Sequence, residues 1–348
     1  MLTLSIGAIS IGDRAPAVLG TGANGRLYAE DAQIGRPAML VALGAVGPDT
    51  AGALKAGLMA ARAALAHEVD VVALTPALAT YAAALAGAGE LVVHLTQGEE
   101  LSRVVQDGAP AVIVLDRAWR VVAIAPYRDD AALVALYARL RPRLAAAPPR
   151  RVSAPAPVLI VPNVVPPEIC RGLMAHFELS PHRAGLMASA AADGAALARY
   201  DEGKKRRRDL ELHPDQALHG EVLKVLAERC APEIKRAFQF DVAFADRILI
   251  ARYDDTGGYF KRHRDNLAPQ VAFRDFAVSM NLNTGDYDGG ALMFPEFSDD
   301  LYDPPAGSAA IFSASLLHEA TPVVRGRRYV ALSFLSGADS QARASHAG

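Results

Sequence analysis

"RILIARYDDTGGYFKRHRDN", residues 247–266, reads as two short strands around a turn. "RILIARY" has strand composition, Asp-Asp-Thr-Gly-Gly is turn chemistry, and "GYFKRH" resumes a β-like run before Arg-Asp-Asn ends it. The runs that follow, "FAVSMNLN", "GGALMFP", "SAAIFSA" and "RYVALSFL", are equally short and are separated by Gly, Pro, Asn and Asp. This spacing predicts an antiparallel sandwich or jelly roll. Upstream, "VLIVPNVV" reads as a strand and "PPEICRGLMAHFEL" as a helix with proline in its first turn. "HPDQALHGEVLKVLAERCAPEIKRAF" reads as one or two helices opening at an Asp215 cap.

A histidine and an acid at i and i+2 on one strand point to the same face, so His263 and Asp265 can reach a single metal ion at a barrel mouth. A facial-triad iron site needs a second imidazole and must keep coordination positions open. His318 in "SASLLHEATPVVRGRRYVALSFL" is flanked by strand-like runs and can supply it. Arg328 follows on the next run, where a guanidinium suits the far carboxylate of a dicarboxylate. A second His-x-Asp, His213 to Asp215, precedes a helix and is read as capping. Gly257 and Gly258 are read as the turn that launches the ligand strand.

"RYDDTGGYFKRHRDN", "NLNTGDYDGGALMFPEF" and "LLHEATPVVRGRRY" together resemble the blocks of Fe(II)/2-oxoglutarate-dependent dioxygenases of the prolyl-4-hydroxylase-like branch, over about residues 157–338. The resemblance implies a double-stranded β-helix, or jelly roll, with flanking helices. It further implies that His263, Asp265 and His318 ligate Fe(II), that Arg328 pairs with the C5 carboxylate of 2-oxoglutarate, and that Tyr253 hydrogen-bonds the same cosubstrate. Asn281 and Leu292 fall at cosubstrate-lining positions. Leu332 departs from the pattern, because relatives often carry a hydroxyl residue there. The implied reaction consumes dioxygen and 2-oxoglutarate, releases succinate and carbon dioxide, and hydroxylates an unactivated C–H bond. A prolyl or other amino-acid side chain, free or in a peptide or protein, is the implied target. A metal- or ligand-binding module without turnover is the alternative, and retention of all three ligands and the arginine speaks against it. Retention of Asp265 likewise speaks against halogenation, which needs a small residue there.

Before residue 146 the pattern differs. "AMLVALG", "VDVVALT" and "ELVVHLT" alternate with alanine-rich helical stretches at residues 50–67, 76–88 and 130–144, as parallel strands with crossover helices do. "PAVIVLDRAWRVVAI" reads as a hairpin around an Asp-Arg turn. "IGDRAPAVLG", "GRPAMLVAL" and "VIVLDRAWRVVAI" resemble peroxiredoxin sequence, which implies an α/β thioredoxin-like fold, with Pro110 where that fold usually carries a cis-proline. The chain has no cysteine before Cys170, so a thiolate nucleophile is excluded in this region and a scaffold or interaction role is expected. The expected division is 1–145, a linker at 146–156, the oxygenase at 157–338 and a tail at 339–348.

Composition narrows the partners. A chain of 348 residues with 51% hydrophobic and 21% charged residues is globular, and its net charge of −2 gives no basic surplus for nucleic acid or anionic membrane. The run "KKRRR" at 204–208 lacks interleaved aromatic platforms and is read as a solvated segment, with Arg206 or Arg208 as options at the site mouth. No apolar run is long enough to span a membrane, the N-terminal stretch is a poor signal peptide, and two cysteines fit a reducing compartment, so a cytoplasmic protein is expected. Cys170 and Cys230 are read as core residues, and Tyr259 and Phe260 as barrel packing. The oligomeric state stays open, with a homodimer among the options.

Overall fold

The computed structural model describes residues 9–15, 19–22, 27–29, 34–42, 48–65, 68–75, 92–97, 110–145, 151, 153–190, 196–199 and 201–340. The chain divides into two compact units, Met1–Pro149 and Arg150–Gly348.

The first unit is a seven-stranded sheet of β1 (Leu19–Gly22), β2 (Leu27–Ala29), β3 (Ala38–Ala42), β4 (Asp70–Thr75), β5 (Val92–Gln97), β6 (Ala111–Leu115) and β7 (Val121–Pro126), in the order β2-β1-β5-β4-β3-β6-β7. β3, β4 and β5 run parallel, while β6 and β7 are antiparallel to their neighbours. Two helices accompany it, α1 (Pro48–Leu65) and α2 (Asp130–Leu144). α2 starts where Asp129 accepts a hydrogen bond from the Ala132 amide. The alternation within β3 explains its unbroken apolar run. Met39 and Val41 pack with Leu58 of α1 and Leu140 of α2, whereas Leu40 faces the other side with Leu74, Ile113 and Trp119. A strand covered on both faces needs apolar residues at every position. The helix expected at 76–88 lies outside the described residues. No peptide bond among the described residues is cis; the one before Pro110 joins it to a residue outside them.

The second unit carries an eight-stranded sheet. Its main path joins β8 (Leu159–Val161), β21 (Ala309–Ser313), β17 (Phe276–Asn281), β24 (Arg327–Ser336), β15 (Ile248–Asp254), β13 (Arg208–Leu212) and β9 (Arg183–Ala184), with β14 (Phe244–Ala245) paired to β24. A five-stranded sheet runs β12 (Lys205–Arg206), β16 (Tyr259–His263), β22 (His318–Ala320), β19 (Leu292–Met293) and β20 (Leu301–Tyr302). Two-stranded pairs are formed by β10 (Met187–Ala190) with β11 (Ala196–Arg199) and by β18 (Asp288–Gly289) with β23 (Val323–Arg325).

Helices cover one face of the large sheet. α3 (Pro167–Leu179), α4 (Ala217–Val225), a π turn at Leu226–Cys230 and α5 (Ala231–Phe238) bring Cys170, Phe177, Val222 and Ile234 against Ile248, Ile250, Val278 and Ala331. The opposite face is built differently. Ala251, Ala277 and Ala310 sit there with Tyr253, Phe312 and Val330, facing Leu292, Phe294 and Ala320. Small residues on facing strands leave unfilled space in an otherwise close-packed interior, and that space is the candidate site. The expected Asp215 cap is a correction. α4 begins at Ala217 behind Gln216, and the Gln216 Oε1 accepts from the His213 amide at 2.9 Å, so a short turn rather than an aspartate cap enters the helix.

Candidate active site

The cavity lies between the two sheets, with Arg207, Tyr253, Phe260, His263, Asp265 and His318 in its wall. β16 and β22 pair so that His263 and His318 stand directly opposite. Asp265 follows His263 by two residues and is tethered by its amide to the Ala314 carbonyl. Their ligand atoms all lie within 4.8 Å of one another. Gly258 makes the preceding turn possible, since a Cβ there would sit 2.7 Å from the Asp254 nitrogen.

Hydrogen bonding prepares these side chains for a cation. His263 Nδ1 lies 2.8 Å from the Lys261 carbonyl oxygen and His318 Nδ1 lies 3.0 Å from the Leu316 carbonyl oxygen. A carbonyl only accepts, so each Nδ1 carries the proton and each Nε2 presents a lone pair. Those Nε2 atoms stand 3.5 and 3.4 Å from the Asp265 carboxylate oxygens. Burial lowers the His318 pKa to about 4 despite the neighbouring carboxylate, which keeps its imidazole neutral. Burial pushes the Asp265 carboxyl upward, but its charged surroundings, the Arg274 cation among them, outweigh burial and hold the group well below the usual carboxylate range. Two lone pairs and a carboxylate converging without a proton between them are unfavourable until a cation joins them, so nitrogen and oxygen donors here fit Fe(II).

An anion site adjoins the ligand set. Tyr253 and Arg328 pair across β15 and β24, and both line the cavity. Arg328 is 2% exposed, its Nε has no hydrogen-bond partner, and its Nη2 donates to Asn281 Oδ1 at 3.2 Å. Among the described residues no carboxylate pairs with it. A buried guanidinium with an orphaned donor fits a carboxylate-bearing ligand such as 2-oxoglutarate. Asn281 is placed behind this arginine rather than in the cavity wall, and its amide nitrogen donates to Asp303 Oδ1 and the Pro304 carbonyl, both at 3.1 Å. Leu292 and Leu332 both line the cavity. Ser279, which pairs with Leu332 across the sheet, brings a hydroxyl residue to the same wall.

Sequence reasoning missed two residue groups. Phe260, read as barrel packing, lines the cavity and stacks on His263 with ring centroids 3.4 Å apart. The 204–208 run is not simply solvated. Lys204, Arg206 and Arg208 are exposed, whereas Lys205 is buried and the Arg207 side chain is 7% exposed. The period-2 alternation of an extended strand was the available signal. A groove of about 380 Å³ opens beside the cavity, with Arg183, Arg206, Arg208, Glu202 and Asp254 among its lining residues and Arg207 shared with the cavity.

The pattern of the 2OG-Fe(II) oxygenase superfamily matches residues 248–336. A PKHD-type hydroxylase of Nitrobacter winogradskyi is 30% identical over 149 residues, covering 40% of this chain and 64% of the relative, so the match spans somewhat under two thirds of that protein. A PKHD-type hydroxylase of Pseudomonas putida strain W619 is 30% identical over 170 residues, covering 46% of this chain and 74% of the relative. Among solved structures, a Pseudomonas putida prolyl-4-hydroxylase superposes with a TM-score of 0.39 at 20% identity, over 51% of this chain and 91% of that one.

Proposed function

The chain belongs to the 2OG-Fe(II) oxygenase superfamily, whose chemistry uses Fe(II), 2-oxoglutarate and dioxygen, and from that premise we propose that it hydroxylates an unactivated C–H bond of an amino-acid side chain. The observation that carries this reading is one cavity holding three converging ligand atoms beside a buried arginine without a carboxylate partner. His263, Asp265 and His318 hold the iron. Arg328 and Tyr253 hold the far carboxylate of 2-oxoglutarate, and Asn281 aims the guanidinium. Leu292 and Leu332 keep water from the cosubstrate and orient it. When bound, the metal and cosubstrate supply the oxidising power for C–H hydroxylation, with succinate and carbon dioxide as co-products. The protein's share is fixed ligand direction, a neutral His318 and a dry wall around the reacting carbon.

The favoured target is a prolyl or similar side chain within a peptide or protein. The adjoining groove supports this, because Arg207 lines both it and the cavity and the groove offers room for flanking residues. For the first unit we propose a thioredoxin-like fold acting as scaffold or interaction module, supported by the parallel β3-α1-β4 arrangement, the β6-β7 hairpin and α2. Its lack of cysteine leaves it without thiol chemistry.

The test is succinate release from 2-oxoglutarate under air with added Fe(II). The native chain is expected to form succinate, His263→Ala to form none, and Arg328→Ala to need far higher 2-oxoglutarate. If the native chain neither binds Fe(II) nor changes its anaerobic absorption with 2-oxoglutarate, the reading is wrong.

A further inference from the structure

One buried ionic chain next to the cavity is unused by the function just described. Asp209, 5% exposed, forms an ion pair with Arg207, its Oδ1 standing 2.7 Å from Nε, and accepts a hydrogen bond from Arg207 Nη2 on Oδ2 at 3.3 Å. The same Oδ2 takes Lys205 Nζ at 3.1 Å, and that ammonium also donates to the Leu186 carbonyl at 2.8 Å. One edge of the Arg207 guanidinium, Nε and Nη2, therefore faces Asp209. The remaining nitrogen, Nη1, donates to the Tyr253 hydroxyl at 2.9 Å.

The fold explains how Arg207 arrives there. β12 pairs with β16 in one sheet, β13 pairs with β15 in the other, and Arg207 is the residue between them. Lys205 and Arg207 point inward by strand alternation, while Arg206 and Arg208 point out. The crossover thus inserts a cation between Tyr253 and Phe260, with the Arg207 Cζ 5.6 and 5.5 Å from the two ring centroids.

A guanidinium only donates, so the Tyr253 oxygen must accept from it. No other hydrogen bond engages that hydroxyl among the described residues. Its own proton is then left to point into the cavity, on the side where Arg328 waits, its Cζ 5.2 Å from the Tyr253 ring centroid. We propose that Arg207, clamped by Asp209 and Lys205, is a positioning residue that fixes Tyr253 as a proton donor toward the anionic cosubstrate. This rests on the 2-oxoglutarate reading above. The device separates labour between two buried arginines. Arg328 meets the anion, and Arg207, already neutralised by Asp209, directs the phenol that completes the anion's hydrogen bonding.

The experiment measures 2-oxoglutarate binding in two ways on the full chain: calorimetric titration of metal-free protein, and anaerobic optical titration of Fe(II)-loaded protein. Steady-state KM and kcat accompany them. Tyr253→Phe and Arg207→Met are each expected to weaken 2-oxoglutarate about tenfold, as loss of one hydrogen bond to a charged group does. The double variant should weaken it by about the same tenfold rather than a hundredfold, because both changes remove one interaction. For the Arg207 variants the loss should fall on KM far more than on kcat at saturating cosubstrate, as expected when mainly binding shared by ground and transition states is lost. Arg207→Lys covers the case that Arg207→Met unfolds. It keeps the charge beside Asp209 but cannot bond both Asp209 and Tyr253 in the same fork, so it should behave like Tyr253→Phe. Native-like affinity in Arg207→Lys, or multiplicative loss in the double variant, overturns the proposal. Native protein that binds no 2-oxoglutarate in either titration overturns the functional reading and this inference together. Intact native binding with unaffected Arg207 variants overturns the inference alone.

Discussion

The two faces of the large sheet in the second unit are made from the same strands but not from the same chemistry. On one face Ile248, Ile250, Val278 and Ala331 pack against helical Phe177, Val222 and Ile234. On the other, alanines alternate with Tyr253, Arg328 and Ser279 around a cavity. One face stores the stability of the fold, and the other carries buried polar groups that a ligand is needed to satisfy. Substitutions on the two faces should therefore affect different measurements.

The largest effect is expected on the cavity face. His318→Ala should abolish stoichiometric Fe(II) retention after dialysis while leaving the helical circular-dichroism signal in place; retained iron would break the contrast. Arg328→Met should weaken 2-oxoglutarate about a hundredfold, the scale of removing one partner of a buried charge pair. It should leave chemical-denaturation stability equal or higher, since an uncompensated buried charge is removed from the folded state. On the helix-covered face, Ile250→Ala should lower stability by about 2–5 kcal/mol in a denaturant titration with unchanged 2-oxoglutarate affinity in the folded fraction.

Smaller effects sharpen the comparison. Gly290 adopts φ +71°, and a Cβ there would stand 2.8 Å from the Arg328 Cδ. Gly290→Ala should therefore displace the guanidinium and raise KM for 2-oxoglutarate about tenfold, a loss near 1.4 kcal/mol. A last effect is a pH slope in stability. Burial and the Arg207 cation lower the Lys205 pKa to about 7, with Arg247 adding to the depression and Asp209 opposing it. The unfolded chain holds this proton up to the ordinary lysine range, so between pH 7 and 10 it binds more protons than the fold and stability rises with pH. That slope is at most about 1.4 kcal/mol per pH unit. Lys205→Met should flatten it in thermal melts across that range.

Much of the site was legible because its signals are local or of fixed spacing. His263 and Asp265 are two residues apart, which brings both to the site even though β16 ends at His263 and Asp265 stands in the turn beyond it, and the apolar runs of β3 and β6 announce a sheet covered on both sides. Less accessible were the features that depend on who sits opposite. The basic run at 204–208 has the composition of a solvated segment, yet a change of sheet at Arg207 draws two of its five side chains inward. Phe260 reads as packing, since three residues along a regular strand it would face away from His263, until the register shift between the two against β22 stacks their rings. Asn281 reads as a wall residue until its amide is seen held by Asp303 and Pro304, so that its oxygen serves Arg328. The Asp215 cap failed for a similar reason, since Gln216 closes the turn from the other side.

By itself the sequence determined which atoms are available: an imidazole and a carboxylate two residues apart, a second imidazole far downstream, an arginine ten residues past it, and a first unit without a nucleophilic thiol. Tertiary structure alone decided which of those atoms are orphaned. Whether a guanidinium waits for a ligand, as Arg328 does, or is already answered by a carboxylate, as Arg207 is, follows from cross-strand register and burial. Both are set by distant chain segments meeting in a medium where an unmet charge is unfavourable.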